Sequence, residues 1–220
     1  MELKKVFLTI VIIVFTVSFS AGIAHSQITD KDGNSYNTAT IGAKEWTTEN
    51  LNVEHYRNGD IIPQVQDAAE WKKLTTGAWC YYENLTENGK TYGKLYNWYA
   101  VIDSRGLVPE GWHIPSDEEF TEMTNSLGGN ETAGGKLKAV TLWNDPNKGA
   151  TNESGYSALP GGYRADNGSF KLLLKYGCFW TSTQTTTVGA RCRELHNNIT
   201  DIIRDTYNKK CGLHVRCVKD

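Results

Sequence analysis

Apolar residues in the segment PSDEEFTEMTNSLGG recur at Phe120, Met123 and Leu127, which places them on one face at helical spacing. Ser116 precedes them as a cap and Glu119 stands three places on, so the spacing predicts a helix opened by a capping box and closed at Gly128 and Gly129. A shorter helix is expected over 66–74, QDAAEWKKL, with Asp67 capping and Glu70 reaching back to the cap. A weaker helical stretch runs from Glu131 to Lys138. Elsewhere the pattern changes to short runs rich in Tyr, Trp and Thr, separated by Gly, Asn and Asp at intervals of about 8 to 12 residues, as small antiparallel sheets require. Asp32 and Gly33 lie between two such runs and predict a hairpin. Asp30, Asp32 and Asn34 also imitate the start of a calcium loop, but the position that needs a bidentate Glu is Ile41, which favours the hairpin. The C-terminal third reads as three or four strands, CFWTST, ARCRELH, DIIRDTY and GLHVRCVK. These elements add up to an α+β fold with two or three short helices, small antiparallel sheets and long loops.

Ahead of them, Lys4 and Lys5 precede an uncharged run from Val6 to Ala24, and Ala24-His25-Ser26 has the small-x-small form of a cleavage site. The expectation is a signal peptide over 1–26 and a single mature domain over 27–220; an uncleaved anchor is the alternative, because the run is just long enough to span a bilayer. No cysteine precedes Cys80, so no thiol is placed for acylation after the leader, and the protein is expected to be extracytoplasmic but not a lipoprotein. Nothing after the leader is apolar enough to span a membrane. With 23 Lys+Arg against 25 Asp+Glu and no block of like charge, the chain lacks the electrostatic footprint of a nucleic-acid binder. Its five cysteines, Cys80, Cys178, Cys192, Cys211 and Cys217, lie where disulfides persist, and a hairpin turning near Thr185 would set Cys178 opposite Cys192. Zinc is a poor alternative, since the sequence has no CxxC pair and its histidines are scattered.

The strings IGAKEWTTENLNVEHYRNGDIIP, YGKLYNWYAV, PEGWHIPSDEEF, LGGNETAGGKLK, WNDPNKGATNESGYSALPGGYR, FWTST and HVRCVKD occur in that order, and together they resemble the Fibrobacter succinogenes major paralogous domain family. The resemblance runs from about Thr29 to Asp220. It implies an exported bacterial surface domain without an established activity, and its element order is similar to C-type lectin-like and formylglycine-generating sulfatase-modifying folds. Fold-level likeness is a weak warrant for function. The family usually places a Cys where this chain has Val108, which implies that Cys217 lacks its usual partner. Cys178, Cys192 and Cys211 stand where aromatic residues are usual, which implies a pairing among those three without saying which two.

Candidate chemistry follows from the same strings. Calcium-dependent sugar-binding C-type lectins use a Trp-Asn-Asp string, and Trp143, Asn144 and Asp145 repeat it; Asn144 and Asp145 are the calcium candidates, with Glu153, Asp166 and Asp117 as further oxygen donors. The competing reading is a turn held by Asn and Asp side chains. Tyr163 and Arg164, in PGGYRADNG, offer a planar ring and a fixed charge on a loop, and are the first choice for a ligand contact. An oxidase of the formylglycine-generating kind needs two close thiols for copper. Cys192 stands alone in its strand, and Cys211 and Cys217 would lie about 20 Å apart on an extended one. Ser116, His113 and Asp117 make a paper triad, but Ser116 is better used as a cap and no GxSxG elbow exists. No catalytic residue or resident cofactor other than calcium emerges. The expectation is a non-catalytic surface binding or adhesion module for a glycan or another surface protein, with an enzyme or a purely structural surface protein as alternatives.

Overall fold

The structure, a computed structural model, describes residues 27–220, so the leader expected over 1–26 lies outside the described residues. The chain is mixed α and β. Its strands are β1 (Gln27–Thr29), β2 (Ser35–Ile41), β3 (Lys44–Thr47), β4 (Trp79–Cys80), β5 (Leu95–Tyr96), β6 (Trp112–His113), β7 (Tyr163–Arg164), β8 (Phe170–Lys171), β9 (Tyr176–Gln184), β10 (Gly189–His196), β11 (Ile202–Asn208) and β12 (Val218–Lys219). The helices are α1 (Ala68–Lys73), α2 (Thr86–Tyr92), α3 (Trp98–Val101), α4 (Asp117–Ser126) and α5 (Asn130–Leu137). A sheet ordered β1-β2-β3-β12-β6 and another ordered β11-β10-β9 carry most of the pairing, and every pairing between named strands is antiparallel. Among the described residues no helix is long and apolar enough to cross a membrane.

Local chemistry explains where these elements begin. In α4 the Ser116 hydroxyl accepts from the Glu119 N–H and the Glu119 carboxylate accepts from the Ser116 N–H, which completes the expected capping box. Asp67 caps α1 by accepting from the Glu70 N–H at 2.8 Å. Between β1 and β2 the Asp30 carboxylate accepts from the N–H groups of Asp32 and Asn34, from the Asn34 amide and from the Tyr36 hydroxyl. That carboxylate locks the turn and is committed to it, so the hairpin reading of this segment holds. Helix α5 packs on β11 because Gly134 leaves room for the Asp201 carbonyl, into which a Cβ would collide.

Three expectations need correction. Two or three helices were anticipated, but five α-helices form among the described residues: α2 and α3 lack an apolar face of helical period, and α3 rests on Asn97, whose side chain caps the Ala100 N–H. Only Val218–Lys219 of GLHVRCVK forms a regular strand, since the residues before it make isolated bridges to several segments. The hairpin between β9 and β10 turns around Thr187 rather than Thr185, since Ala190 pairs with Gln184, and a bulge between Ala190 and Cys192 recovers only part of that offset, which leaves Cys192 opposite Trp180 and Cys178 opposite Glu194. Cys178 and Cys192 are therefore diagonal neighbours, typically about 7–8 Å apart, outside disulfide range. All five cysteines are buried free thiols, so neither that bridge nor another pairing among Cys178, Cys192 and Cys211 is formed.

Most of the aromatic abundance is core. Trp46, Phe120, Tyr156 and Phe179 form one chain of tilted and edge contacts, while Tyr96, Trp98 and Trp180 are buried in a second cluster.

Candidate functional site

The residues favoured from sequence do not meet. Arg164 is fully buried: its guanidinium donates to the carbonyls of Gly168, Val65 and Gln66 at 3.0, 2.6 and 2.8 Å and lies over the rings of Trp71 and Phe170. Such an arginine ties the Val65–Gln66 segment to its own loop at Gly168 and, being buried, presents no donor to a ligand. Tyr163 is half-buried edge-on against Tyr207. Trp143 is buried in a different apolar cluster, with its indole N–H donating to the Ala158 carbonyl at 3.0 Å. The ligand-contact reading of Tyr163, Arg164 and Trp143 is thus replaced by a packing one.

Asn144 and Asp145 are exposed on a turn. Their carbonyls accept from the Asn197 amide at 3.2 and 2.8 Å, and the Asn147 N–H closes back on Asn144. Of the carboxylates expected to complete a calcium shell, Glu153 pairs with Lys136, and Asp117 is held by Arg193 and Arg204. Among the described residues there is no group of three or more His, Cys, Asp or Glu fit to hold a metal. What organises this loop is an internal cation. The buried Lys138 ammonium donates to the carbonyls of Lys148, His196 and Ile199 at 2.9, 2.9 and 2.8 Å, 5.5 Å from the Trp143 ring. Burial pushes Lys138 down to about 8, while three carbonyl dipoles favour the charged form.

A different place has the shape of a site. A groove enclosing about 410 Å³ lies between the β1–β2 turn, the segment that leaves β3, the C-terminal end of α2 and the loop before Pro160. A shallower concavity of about 420 Å³ alongside β2 shares Thr48 and Ser157 with it. Gly93, at φ 76°, ends α2 and lets it approach Asn50, whose Cβ would lie 3.0 Å from an added Cβ. Asn50 is fixed on both sides: its amide donates to the Tyr92 carbonyl at 2.8 Å, and its oxygen accepts from Arg216 Nε at 2.6 Å. Arg216, fully buried, also donates to Thr47, Tyr156 and Ser157 carbonyls at 3.0, 2.9 and 3.3 Å. One guanidinium therefore ties opposite walls of the groove together. Burial lowers its pKa, while the charge of Glu49 and the Tyr156 side chain opposes that fall.

Asn34 donates its amide to Asp30 and to the Asn52 carbonyl, Asn37 donates its N–H and amide to Glu49 at 2.8 and 2.7 Å, and Thr48 donates to the same carboxylate at 3.0 Å. Ser157 donates to Gly155 and Thr91 to Glu87. Several wall donors are thus committed inward, and the lining that remains is mixed: hydroxyls, amides and the Glu49 carboxylate on one side, and Lys90, paired with Glu87, on the other. Lys94 underlies this region, buried against the Trp79 ring at 4.4 Å and donating to the Asn52 carbonyl at 2.6 Å. Burial lowers the Lys94 pKa and the Glu54 charge opposes it. Sequence reasoning passed over Glu49, Asn50, Asn52 and Arg216; they sit inside the family-like strings TTENLN and HVRC, which was the available signal.

Fold and groove together define a loop-rich α+β domain in which small antiparallel sheets and long loops are tied by buried cations. The family model of the Fibrobacter succinogenes major domain matches residues 39–219, and the chain belongs to that family. No curated protein and no solved structure matches the chain.

Proposed function

We propose that this is an exported, cell-surface, non-catalytic binding module of C-type lectin-like type whose ligand is a glycan, held without calcium in the groove between Asn34 and Ser157. The observation that carries this reading is the open groove lined by hydroxyl, amide and carboxylate groups at Ser35, Thr48, Glu49, Asn52, Thr91 and Ser157, which complements sugar hydroxyls that both donate and accept. A nucleic acid would need a cluster of cations there, whereas the lining offers Lys90, paired with Glu87, beside the Glu49 carboxylate. The oxidase alternative has little support, because all five thiols are buried and burial pushes those of Cys80, Cys211 and Cys217 up to about 12.

A glycan array probed with the purified domain, with and without chelator, tests the reading. Binding that survives chelator and is lost in Thr91→Trp, which blocks the groove from an exposed position on α2, is the expected result. A flat array, or binding indifferent to that substitution, would sink it. Flat results together with self-association would favour a purely structural surface protein.

A further inference from the structure

We infer that the ligand is an internal stretch of a linear, uncharged polysaccharide rather than a terminal sugar unit; this rests on the glycan reading above. The two concavities meet at Thr48 and Ser157, so they form one trough rather than two cups. Along β2 the trough runs from Ser35 to Ala39, about 13 Å at the usual strand rise, and it continues past Ser35 toward the end of α2. Such a length exceeds one pyranose ring, and both concavities open to solvent, so a chain can enter and leave. Beside the shared Thr48, Glu49 accepts from the Asn37 N–H, the Asn37 amide and the Thr48 hydroxyl. A carboxylate has about four acceptor positions, which leaves it able to take one further donor such as a sugar hydroxyl. The same negative charge repels a carboxylate or sulfate on a passing polymer, and the lysine on the wall, Lys90, is already paired with Glu87.

Calorimetric titration with cello- and xylo-oligosaccharide ladders, from monosaccharide to hexasaccharide, and with oligogalacturonides as the anionic counterpart, tests this. Affinity is expected to rise at least tenfold along one neutral ladder before it levels off, with no binding of the oligogalacturonides. Ala39→Trp, which obstructs the β2 end, should cut affinity for long chains about tenfold and leave the shortest binding members unchanged. Should that variant fold poorly, Ala39→Cys coupled to a bulky maleimide after folding places the same obstruction, since the native thiols are buried. A monosaccharide that binds as tightly as its oligomers, or long-chain affinity unmoved by either obstruction, overturns the trough while leaving the glycan reading intact. Preference for oligogalacturonides overturns the uncharged assignment. Silence of every ladder and of the array overturns both.

Discussion

Replacing Arg216 by Met removes a cation of similar bulk from between the groove walls and leaves four oxygen acceptors, on Asn50, Thr47, Tyr156 and Ser157, without their donor. Hydrogen bonds to a charged group contribute about 1.5–3 kcal/mol each, so four at the low end amount to about 6 kcal/mol. Release of a buried guanidinium with no carboxylate in contact offsets on the order of half of that. The net expectation is a loss of about 3 kcal/mol, which for a domain of this size lowers the melting temperature by about 6–12 °C. Circular dichroism melts of the wild type, Arg216→Met and Arg216→Lys provide the measurement. Lys keeps the charge but cannot reach four acceptors in a planar fork, so it should fall with Met rather than with the wild type. Glycan affinity should drop at least tenfold in both, because Asn50 and Ser157 lose their common anchor. Melting within about 2 °C of the wild type would refute the claim that this guanidinium holds the walls.

Other predictions follow from the same geometry. Lys138→Met should lower the urea midpoint, with a loss of about 3 kcal/mol from three orphaned carbonyls, and an unchanged midpoint would show that the turn beyond Trp143 does not depend on the internal cation. Gly134→Ala should cost about 1–3 kcal/mol through collision with the Asp201 carbonyl, read as a lower melting temperature; a melt equal to the wild type would mean that β11 yields freely. Burial alone would raise the Glu119 pKa, but the Ser116 N–H, Lys44 and His113 hold it at about 2, against an ordinary value of 4.5. Its contribution, at most about 3 kcal/mol, is therefore full above pH 4.5 and is lost as pH falls toward 2. The acid limb of a stability profile should flatten in Glu119→Gln, and an unaltered limb would contradict this assignment. Finally, maleimide should label no cysteine in the native protein and all five after denaturation; a lower denatured count would reveal a disulfide.

How much of this was readable beforehand depends on how local the cause is. Helix α4 announced itself because Ser116, Glu119 and the Phe120, Met123 and Leu127 face all lie within one short window. The β1–β2 hairpin was equally local, resting on Asp30 and Gly33. The Cys178–Cys192 register failed because the turn centres on Thr187 rather than Thr185, within a threonine run that does not mark its own midpoint. Arg164 and Arg216 were opaque for a deeper reason: their partners are main-chain carbonyls at Val65, Thr47 and Tyr156, which every residue type possesses. A fixed charge in a glycine-rich string looks exposed until the distant segments that cover it are known. The groove was hidden likewise, since four separate segments build it and none carries a chemical signature alone.

Among the described residues, burying Lys94, Lys138, Arg164, Arg193, Lys209 and Arg216 against Asp30, Asp117 and Glu194 also reshapes what other molecules meet. The exterior carries more negative charge than the nominal −2 of the whole chain, because its interior retains a surplus of positive groups. Copies brought close together would therefore repel one another over roughly a Debye length, about 8 Å at physiological ionic strength, and added salt should let them crowd more closely.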